Sequence, residues 1–463
     1  MALECFKCGK KFPMFPPHGS CGNCGGPLDY NLPLSSARKL GVSGYAGFWK
    51  YKRLLPPVRH IVTLGEGDTP LHKADRLAKL LGLKELYLKD ETRNPTNSYR
   101  DRASALLTSN ALDLKHDTLV CASMGNLGAS LAAYCAKAGL NCHVIVPKLV
   151  DVGKLAQMLV YDAVIEEFGE FIDEAIHRAE VLVKELSWYQ ATAELNPLVI
   201  EAQKTISYEI FEQFGVPDWI IVSMGSGGTI YSIWKGFKEL EKLGLAKRLP
   251  KMVGVQPEGS SAIIKALLKK GRISAKPSTK ALALLVKEPM QSELAIKAIK
   301  ESGGSALTVS DSEIFTAELQ IAKHEGIFAE PSSSAEIAAL KRLVKEGRIN
   351  KDESVVCPIT GSGLKATDIL QALTKKQKTA VLGLEISTKD KILRILKEKD
   401  TYGYDLWEKL GKTMTRAAIY QHLTALYEKG LIVSYRKDRR KFFKITQRGE
   451  KVLKAIDDLK LLL

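Results

Sequence analysis

The sequence predicts an α/β protein of largely parallel sheets, with a small cysteine-bearing unit before it and a small basic unit after it. Three observations carry that expectation. Short apolar runs alternate with helical stretches from about residue 60 to 373, which is the pattern of a parallel sheet covered on both faces. Two CxxC pairs stand within the first 24 residues. Near residue 374 the composition changes and becomes strongly basic.

The 463 residues are 45% hydrophobic and 26% charged, as in ordinary globular proteins, and the length allows two to four domains. No apolar leader follows Met1, and no run reaches the ~18 apolar residues of a membrane span. A cytoplasmic protein without a membrane partner is therefore expected. The net charge of +16 admits a polyanionic partner without identifying one.

In chain order, the first element is the pair "CFKC" and "CGNC", which places Cys5, Cys8, Cys21 and Cys24 as four thiolates for one tetrahedral ion. Glycines 9, 22, 25 and 26 suit the tight turns of such knuckles. A redox pair or a disulfide is the competing reading, and both are weak in a reducing compartment. A structural zinc ribbon over 1–30 is expected, with no open coordination position. Cys121, Cys135, Cys142 and Cys357 stand alone in apolar surroundings and read as buried small side chains.

The runs at 118–123, 142–147, 219–224, 252–257 and 354–360 read as buried strands, and 127–138, 153–161, 198–214 and 312–325 as helices. Three strand ends run into turns: "SMGN" (Ser123 to Asn126), "GSGGT" (Gly225 to Thr229) and "TGSGLK" (Thr360 to Lys365). Such turns can close backbone N–H groups around an anion at a helix N-terminus, although a plain strand–helix connection looks the same. A fourth turn, "NPTNSYRDRA" (94–103), puts Arg100 and Arg102 into the first turn of a helix, the wrong end of the dipole for a cation.

Taken in order, NPTxSxxDR, SxGN, KLAQ (154–157), EAQKT (201–205), GSGG, GVQPEG (254–259), EPSSSA (330–335) and TGSGLK resemble the threonine synthase family. More broadly they resemble the fold-type-II pyridoxal-phosphate enzymes of the tryptophan-synthase-β type. The resemblance covers roughly residues 60 to 373, and a zinc-ribbon-like start also occurs in that family. It implies that Asn126 meets the cofactor's ring hydroxyl, that Gly225, Ser226, Gly227, Gly228 and Thr229 hold its phosphate, and that Thr360 faces the pyridine nitrogen.

The family's turn reads like NPTGSFKDR, and its lysine forms the Schiff base. Here that position is Arg100, with Asn97, Tyr99 and Ala103 as neighbouring departures. Arginine stays protonated and cannot attack an aldehyde. Lys89 in the preceding strand is a poor substitute. The expectation is a catalytically silent module whose pocket, with Arg100, Ser98 and Ser123, binds a small phosphorylated or amino-acid-like ligand. Pyridoxal phosphate, if bound, is held without a covalent bond. The alternatives are an active threonine synthase, converting O-phosphohomoserine to L-threonine and phosphate, or an inactive partner of a true one.

After a basic linker at 374–384, residues 385–463 hold 19 lysines and arginines against 11 acidic residues, half the excess charge of the chain. Helices at 389–399, 402–411 and about 416–429, an alternating hairpin at 431–446 and a closing helix resemble a PadR-like winged helix-turn-helix. The resemblance implies binding to double-stranded DNA. The exposed face of the third helix would offer Arg416, Tyr420 and Gln421 to bases, and the wing tip Arg436, Lys437, Arg439, Arg440 and Lys441 to phosphates. The apolar end of the last helix, up to Leu463, suggests a homodimer. The whole chain then reads as a ribbon (1–30), a module (31–373), a linker and a winged helix (385–463).

Overall fold

The computed structural model describes residues 2–15, 19–34, 40–269, 276–366, 384–412, 414–438 and 440–461. They fall into two compact units, 1–369 and 370–463. Of the expected linker, Leu384 alone is described, as the first residue of a helix.

The first unit opens with three short antiparallel strands, β1 (Ala2–Cys5), β2 (Lys11–Phe12) and β3 (Leu28–Asn31), in the order β2-β1-β3. They seat the two CxxC turns. Asp29 of β3 fastens this ribbon to the helix Gly228–Lys242, accepting from Lys235 Nζ (2.5 Å) and from the Tyr231 hydroxyl (2.6 Å).

Ten further strands build two sheets. They are β4 (Leu71–Lys73), β5 (Glu85–Asp90), β6 (Thr118–Ala122), β7 (Asn141–Val146) and β8 (Val164–Glu167), then β9 (Tyr189–Gln190), β10 (Trp219–Ser223), β11 (Lys251–Pro257), β12 (Ser305–Val309) and β13 (Ser354–Ile359). The larger sheet runs β12-β11-β10-β13-β5-β4, parallel except for β4 at its edge. The smaller runs β8-β7-β6-β9 and is parallel throughout. Every residue of β10 and β13 is buried, because helices cover both faces; this is why those strands are continuous apolar runs rather than alternating ones. All five expected runs are strands, and β5 is the strand that carries Lys89; the other four, β4, β8, β9 and β12, are short or lie at sheet edges.

The single helix expected over 198–214 is two, Leu198–Gln203 and Thr205–Gln213. At the break, Ser207 N closes a short bond on the Lys204 carbonyl (3.0 Å). A Cβ on Gly236 would lie 2.5 Å from that same carbonyl, so the break lets the facing helix come close. Among the described residues no helix is long and apolar enough to cross a membrane.

At the centre of this unit lies a balanced group of buried charges. Arg102 is fully buried and grips both oxygens of Glu91 (Nε and Nη2, both 2.8 Å) and both of Glu209 (Nη1 2.6 Å, Nη2 2.8 Å). Lys89 Nζ adds a 2.7 Å contact to Glu209. Burial opposes ionisation of Glu209, and Arg102 with Lys89 outweighs it, holding the carboxyl well below the usual range. Burial likewise pulls the Lys89 ammonium down.

The second unit has helices Leu384–Glu398, Gly403–Lys409, Arg416–Glu428 and Gln447–Leu461. A three-stranded antiparallel sheet joins them: β14 (Thr401–Tyr402), β15 (Ile432–Lys437) and β16 (Arg440–Ile445), in the order β14-β16-β15. Ile392, Leu396, Leu406, Ile419, Leu423 and Phe443 form its core. The predicted helices and hairpin are all present, and β14 is an addition. Leu462 and Leu463, and the side chains of Ile456, Leu459 and Leu461, lie outside the described residues, as does Arg439.

Glu209→Gln leaves Arg102 and Lys89 facing one carboxylate. It is expected to destabilise the first unit by about 3–5 kcal/mol, read as a lower urea midpoint. Lys84→Ala, which removes an exposed pair with Asp352, is expected to leave that midpoint unchanged. Because the Glu209 carboxyl titrates below its ordinary 4.5, its stabilisation is complete above about that pH and is lost as the pH falls through the depressed folded value.

Candidate functional site

The ends of β5, β6, β10 and β13 converge, and the loops that follow them line one cleft of about 990 Å³, its open mouth included. Ligands in open α/β folds sit in such a crevice beyond the carboxyl ends of strands. The expected residues Arg100, Ser123, Asn126, Thr360 and all of Gly225 to Thr229 stand on its wall.

The 94–99 turn is stitched to the TGSGLK turn by Tyr99 N donating to Thr360 O (3.0 Å) and Ser362 N donating to Asn97 O (3.1 Å). Asn97 holds φ +61, a left-handed conformation that asparagine tolerates where glycine is usual. Arg100 begins the helix Arg100–Asp113 half-buried, its guanidinium 4.8 Å from the ring of Tyr99. Among the described residues no carboxylate lies within 4 Å of it. The Tyr99 hydroxyl shares a 2.9 Å hydrogen bond with Thr229 Oγ1.

Two expected positions serve the scaffold. Ser98 is fully buried off the cleft wall, its hydroxyl donating to Thr360 O (3.2 Å). The turn thus directs the Ser98 hydroxyl to the TGSGLK turn. Ser123 is on the wall, with its Oγ accepting from Gly125 N and Gly128 N, both at 2.9 Å, which closes the start of the helix Asn126–Ala138.

Sequence reasoning missed three wall residues. Glu330 accepts from Asn126 Nδ2 (2.9 and 3.0 Å) and pairs with buried Lys154 (3.5 Å). Burial works against its charge, and Lys154 and Asn126 win, so its carboxyl is lowered. Gln291 packs its amide against Gly228, where a Cβ would meet Oε1 at 2.2 Å. Glu194 accepts from Ser226 Oγ (2.7 Å). None sits in a motif with a local signature; EPSSSA carries meaning only through the resemblance.

The residues present do not fit pyridoxal phosphate held by a lysine. Among the described residues no lysine lines the cleft. Lys89 is committed to Glu209, and Lys154 to Asp151 (2.8 Å) and Glu330. Lys365 donates to Thr96 O (2.8 Å), and burial pulls its ammonium down to about 8. The ring contacts have suitable partners: Asn126 Oδ1 is buried without a hydrogen bond, and Thr360 Oγ1 lies 2.9 Å from Ser333 Oγ. Among the described residues, an amine for attachment is what the cleft wall lacks.

At the ribbon, the sulfurs of Cys5, Cys8, Cys21 and Cys24 lie within 4.8 Å of one another, with Cys5–Cys24 at 3.5 Å and Cys8–Cys21 at 3.7 Å. A tetrahedron with ~2.3 Å zinc–sulfur bonds needs sulfurs about 3.8 Å apart, so this set could hold one zinc ion. Gly26 is required there, since a Cβ would lie 2.8 Å from Lys7 Cβ.

In the second unit the helix Arg416–Glu428 exposes Tyr420 and Gln421, while Ile419, Leu423 and Leu426 face inward. Arg416 is exposed but its guanidinium lies 4.8 Å from the Tyr404 ring and 4.7 Å from the Trp407 ring, which pins it at the helix start. On the wing, Arg436 stands opposite Lys441 and Lys437 opposite Arg440. Two like-charged cross-strand pairs repel, and a polyanion would relieve them. Lys444 is exposed on the same hairpin, a further cation beyond those the sequence pointed to.

The parallel sheets and the cleft at their strand ends define the first unit as a fold-type-II pyridoxal-phosphate enzyme scaffold. The chain belongs to the family described as pyridoxal-phosphate dependent enzyme, which it matches over residues 62–361. Residues 392–455 match the transcriptional regulator PadR-like family. A threonine synthase of Methanosarcina acetivorans is 41% identical over 374 residues, which span 78% of this chain and 92% of that protein. One of Methanocaldococcus jannaschii is 42% identical, spanning 80% and 94%. Among solved structures, a threonine deaminase isoform of Solanum lycopersicum superposes with a TM-score of 0.57 at 22% identity, over 68% of this chain and 84% of that one.

Two outcomes are expected. Purified protein should carry one zinc ion per chain by elemental analysis, and Cys8→Ser should lose it. Protein mixed with stoichiometric pyridoxal phosphate and reduced with borohydride should yield no pyridoxyl-modified cleft peptide on mass mapping; a modified Lys154 or Lys365 would identify a substitute amine.

Proposed function

We propose that this protein is a ligand-sensing, DNA-binding transcriptional regulator built on a catalytically inactive threonine-synthase-like module. The observation that carries the reading is the cation at the family's amine position: Arg100 occupies it, and no lysine among the described residues reaches the cleft. Arginine cannot supply the nucleophilic amine, yet it suits recognition of a carboxylate or phosphate. A small amino-acid-like or phosphorylated ligand in the cleft biases the affinity of the winged helix for double-stranded DNA, as linkage requires of any sensor. Any pyridoxal phosphate the cleft takes is held without a covalent bond. The protein acts as a homodimer on a palindromic site in the cytoplasm.

The PadR-like domain and the repelling cations of the wing support the DNA reading. The test is to select binding sites from random duplexes and to measure affinity with and without cleft ligands. Identical affinities in both conditions would sink the sensor reading. Replacing Arg436 and Lys437 by alanine should weaken binding to all sequences alike and lower the slope of log affinity against log salt by about 0.9 for each phosphate no longer neutralised. Gln421→Ala should instead relax discrimination at one base pair, by about 1–3 kcal/mol.

A second reading is an active threonine synthase with an appended winged helix. It is favoured by relatives of that name matching over more than nine-tenths of their length. Release of phosphate from O-phosphohomoserine by the purified protein would establish it.

A further inference from the structure

We infer that the cleft takes a free, unphosphorylated α-amino acid, its carboxylate on Arg100, its ammonium on Glu194 and a short aliphatic side chain against the apolar wall. The inference rests on the reading that the cleft binds a ligand, and it names the ligand's class.

The first argument is the state of the Gly-rich loop. Its two hydroxyls are already engaged by the chain itself: Ser226 Oγ donates to Glu194 Oε1 at 2.7 Å, and Thr229 Oγ1 bonds the Tyr99 hydroxyl at 2.9 Å. Gln291 closes over the same loop, its backbone N donating to Ser226 O (3.2 Å) and its side-chain amide to Ala193 O (3.3 Å). A phosphate monoester carries between one and a half and two negative charges at neutral pH, roughly. Placing it on this loop sets it beside the Glu194 carboxylate and displaces two hydrogen bonds. The seat that a phosphate would need is held by an acid.

The second argument is the charge left over on the wall. Three ionised side chains line the cleft among the described residues: Arg100, Glu194 and Glu330. Glu330 is neutralised from behind by Lys154 at 3.5 Å and bonded by Asn126. Arg100 and Glu194 have no ionic partner within 4 Å among the described residues. Both stand on the wall of the one cleft. One unpaired cation and one unpaired anion in one cleft match the carboxylate and ammonium of an amino acid, and inorganic phosphate offers no positive end.

The rest of the wall specifies more. Met124, Leu127, Ile172, Leu284 and Val286 give it an apolar side, suited to a short aliphatic side chain. Asn126 Oδ1 is an acceptor, buried and without a donor; its amide nitrogen is fixed on Glu330, so the orientation is set. A ligand hydroxyl or ammonium proton would satisfy it, and an unmet buried acceptor is unfavourable.

The test uses the full-length chain in calorimetric titrations. The probes are L-valine, its hydroxyl isostere L-threonine, the amide and N-acetyl forms of each, pyridoxal phosphate and inorganic phosphate. The expected result is binding of the free amino acids and at least about tenfold weaker binding of both blocked forms, since each loses a charge-assisted contact. Threonine should bind better than valine. Glu194→Gln should weaken the amino acids and strengthen phosphate, a change of opposite sign that misfolding would not produce. Tight binding of phosphate or pyridoxal phosphate to the wild type, or blocked forms that bind as well as free ones, would overturn the inference. Amino-acid binding that leaves DNA affinity untouched would uphold it and remove the sensor reading instead. DNA binding with no response to any free amino acid, and no heat from one, would remove the inference alone.

Discussion

Everything about the cleft depends on a buried set of four charges. Arg102, Lys89, Glu91 and Glu209 balance one another within the core. Glu91 and Lys89 sit at the end of β5, Arg102 in the helix that follows the 94–99 turn, and Glu209 across the core. Their bonds fix where that helix starts and therefore where Arg100 points. A buried charge pair is weak evidence for stability, because desolvation offsets much of the attraction. Its value here is geometric: two bidentate contacts to one guanidinium leave a single arrangement of the turn.

The same set disposes of one of the two first-turn cations. Arg102 is compensated by two carboxylates, and Asp101 stands beside it, accepting from Thr96 N (2.7 Å) and from the Thr96 and Ser130 hydroxyls (both 2.5 Å). Burial lifts the Asp101 carboxyl to about 6 despite those donors. Arg100 has no such compensation. It rests on the Tyr99 ring, beside a space that the remaining chain keeps polar on one side and apolar on the other. The substitution thus stands beside a buried charge set that is balanced without it.

Much of this was legible in the sequence because it is written locally. Runs such as WIIVS and SVVCPI can only be strands buried on both faces, and the Gly-rich turns mark their ends. Two CxxC pairs and an alternating basic hairpin likewise carry their meaning in a few consecutive residues. What escaped depends on distant partners. Glu194 lies in an unremarkable loop and gains significance only by reaching Ser226. Lys204 looks helical until Gly236 is seen against its carbonyl. Ser98 sits in a recognised motif, yet the turn's rotation hides its hydroxyl. Arg416 reads as a free cation in a helix and becomes a packed one once Tyr404 and Trp407 fold beneath it.

The helix Gly228–Lys242 joins the ribbon to the Gly-rich loop of the cleft. Its first turn is the Gly-rich loop, and two turns later, about 10 Å along at 1.5 Å per residue, Lys235 is clamped by Asp29 of the ribbon and by Glu201 (2.6 Å). A helix of that length is a stiff rod. The clamp at Lys235 therefore ties the ribbon to the far arm of the helix whose first turn lines the cleft. The four-cysteine ribbon and the cleft are thus two ends of a single rigid element.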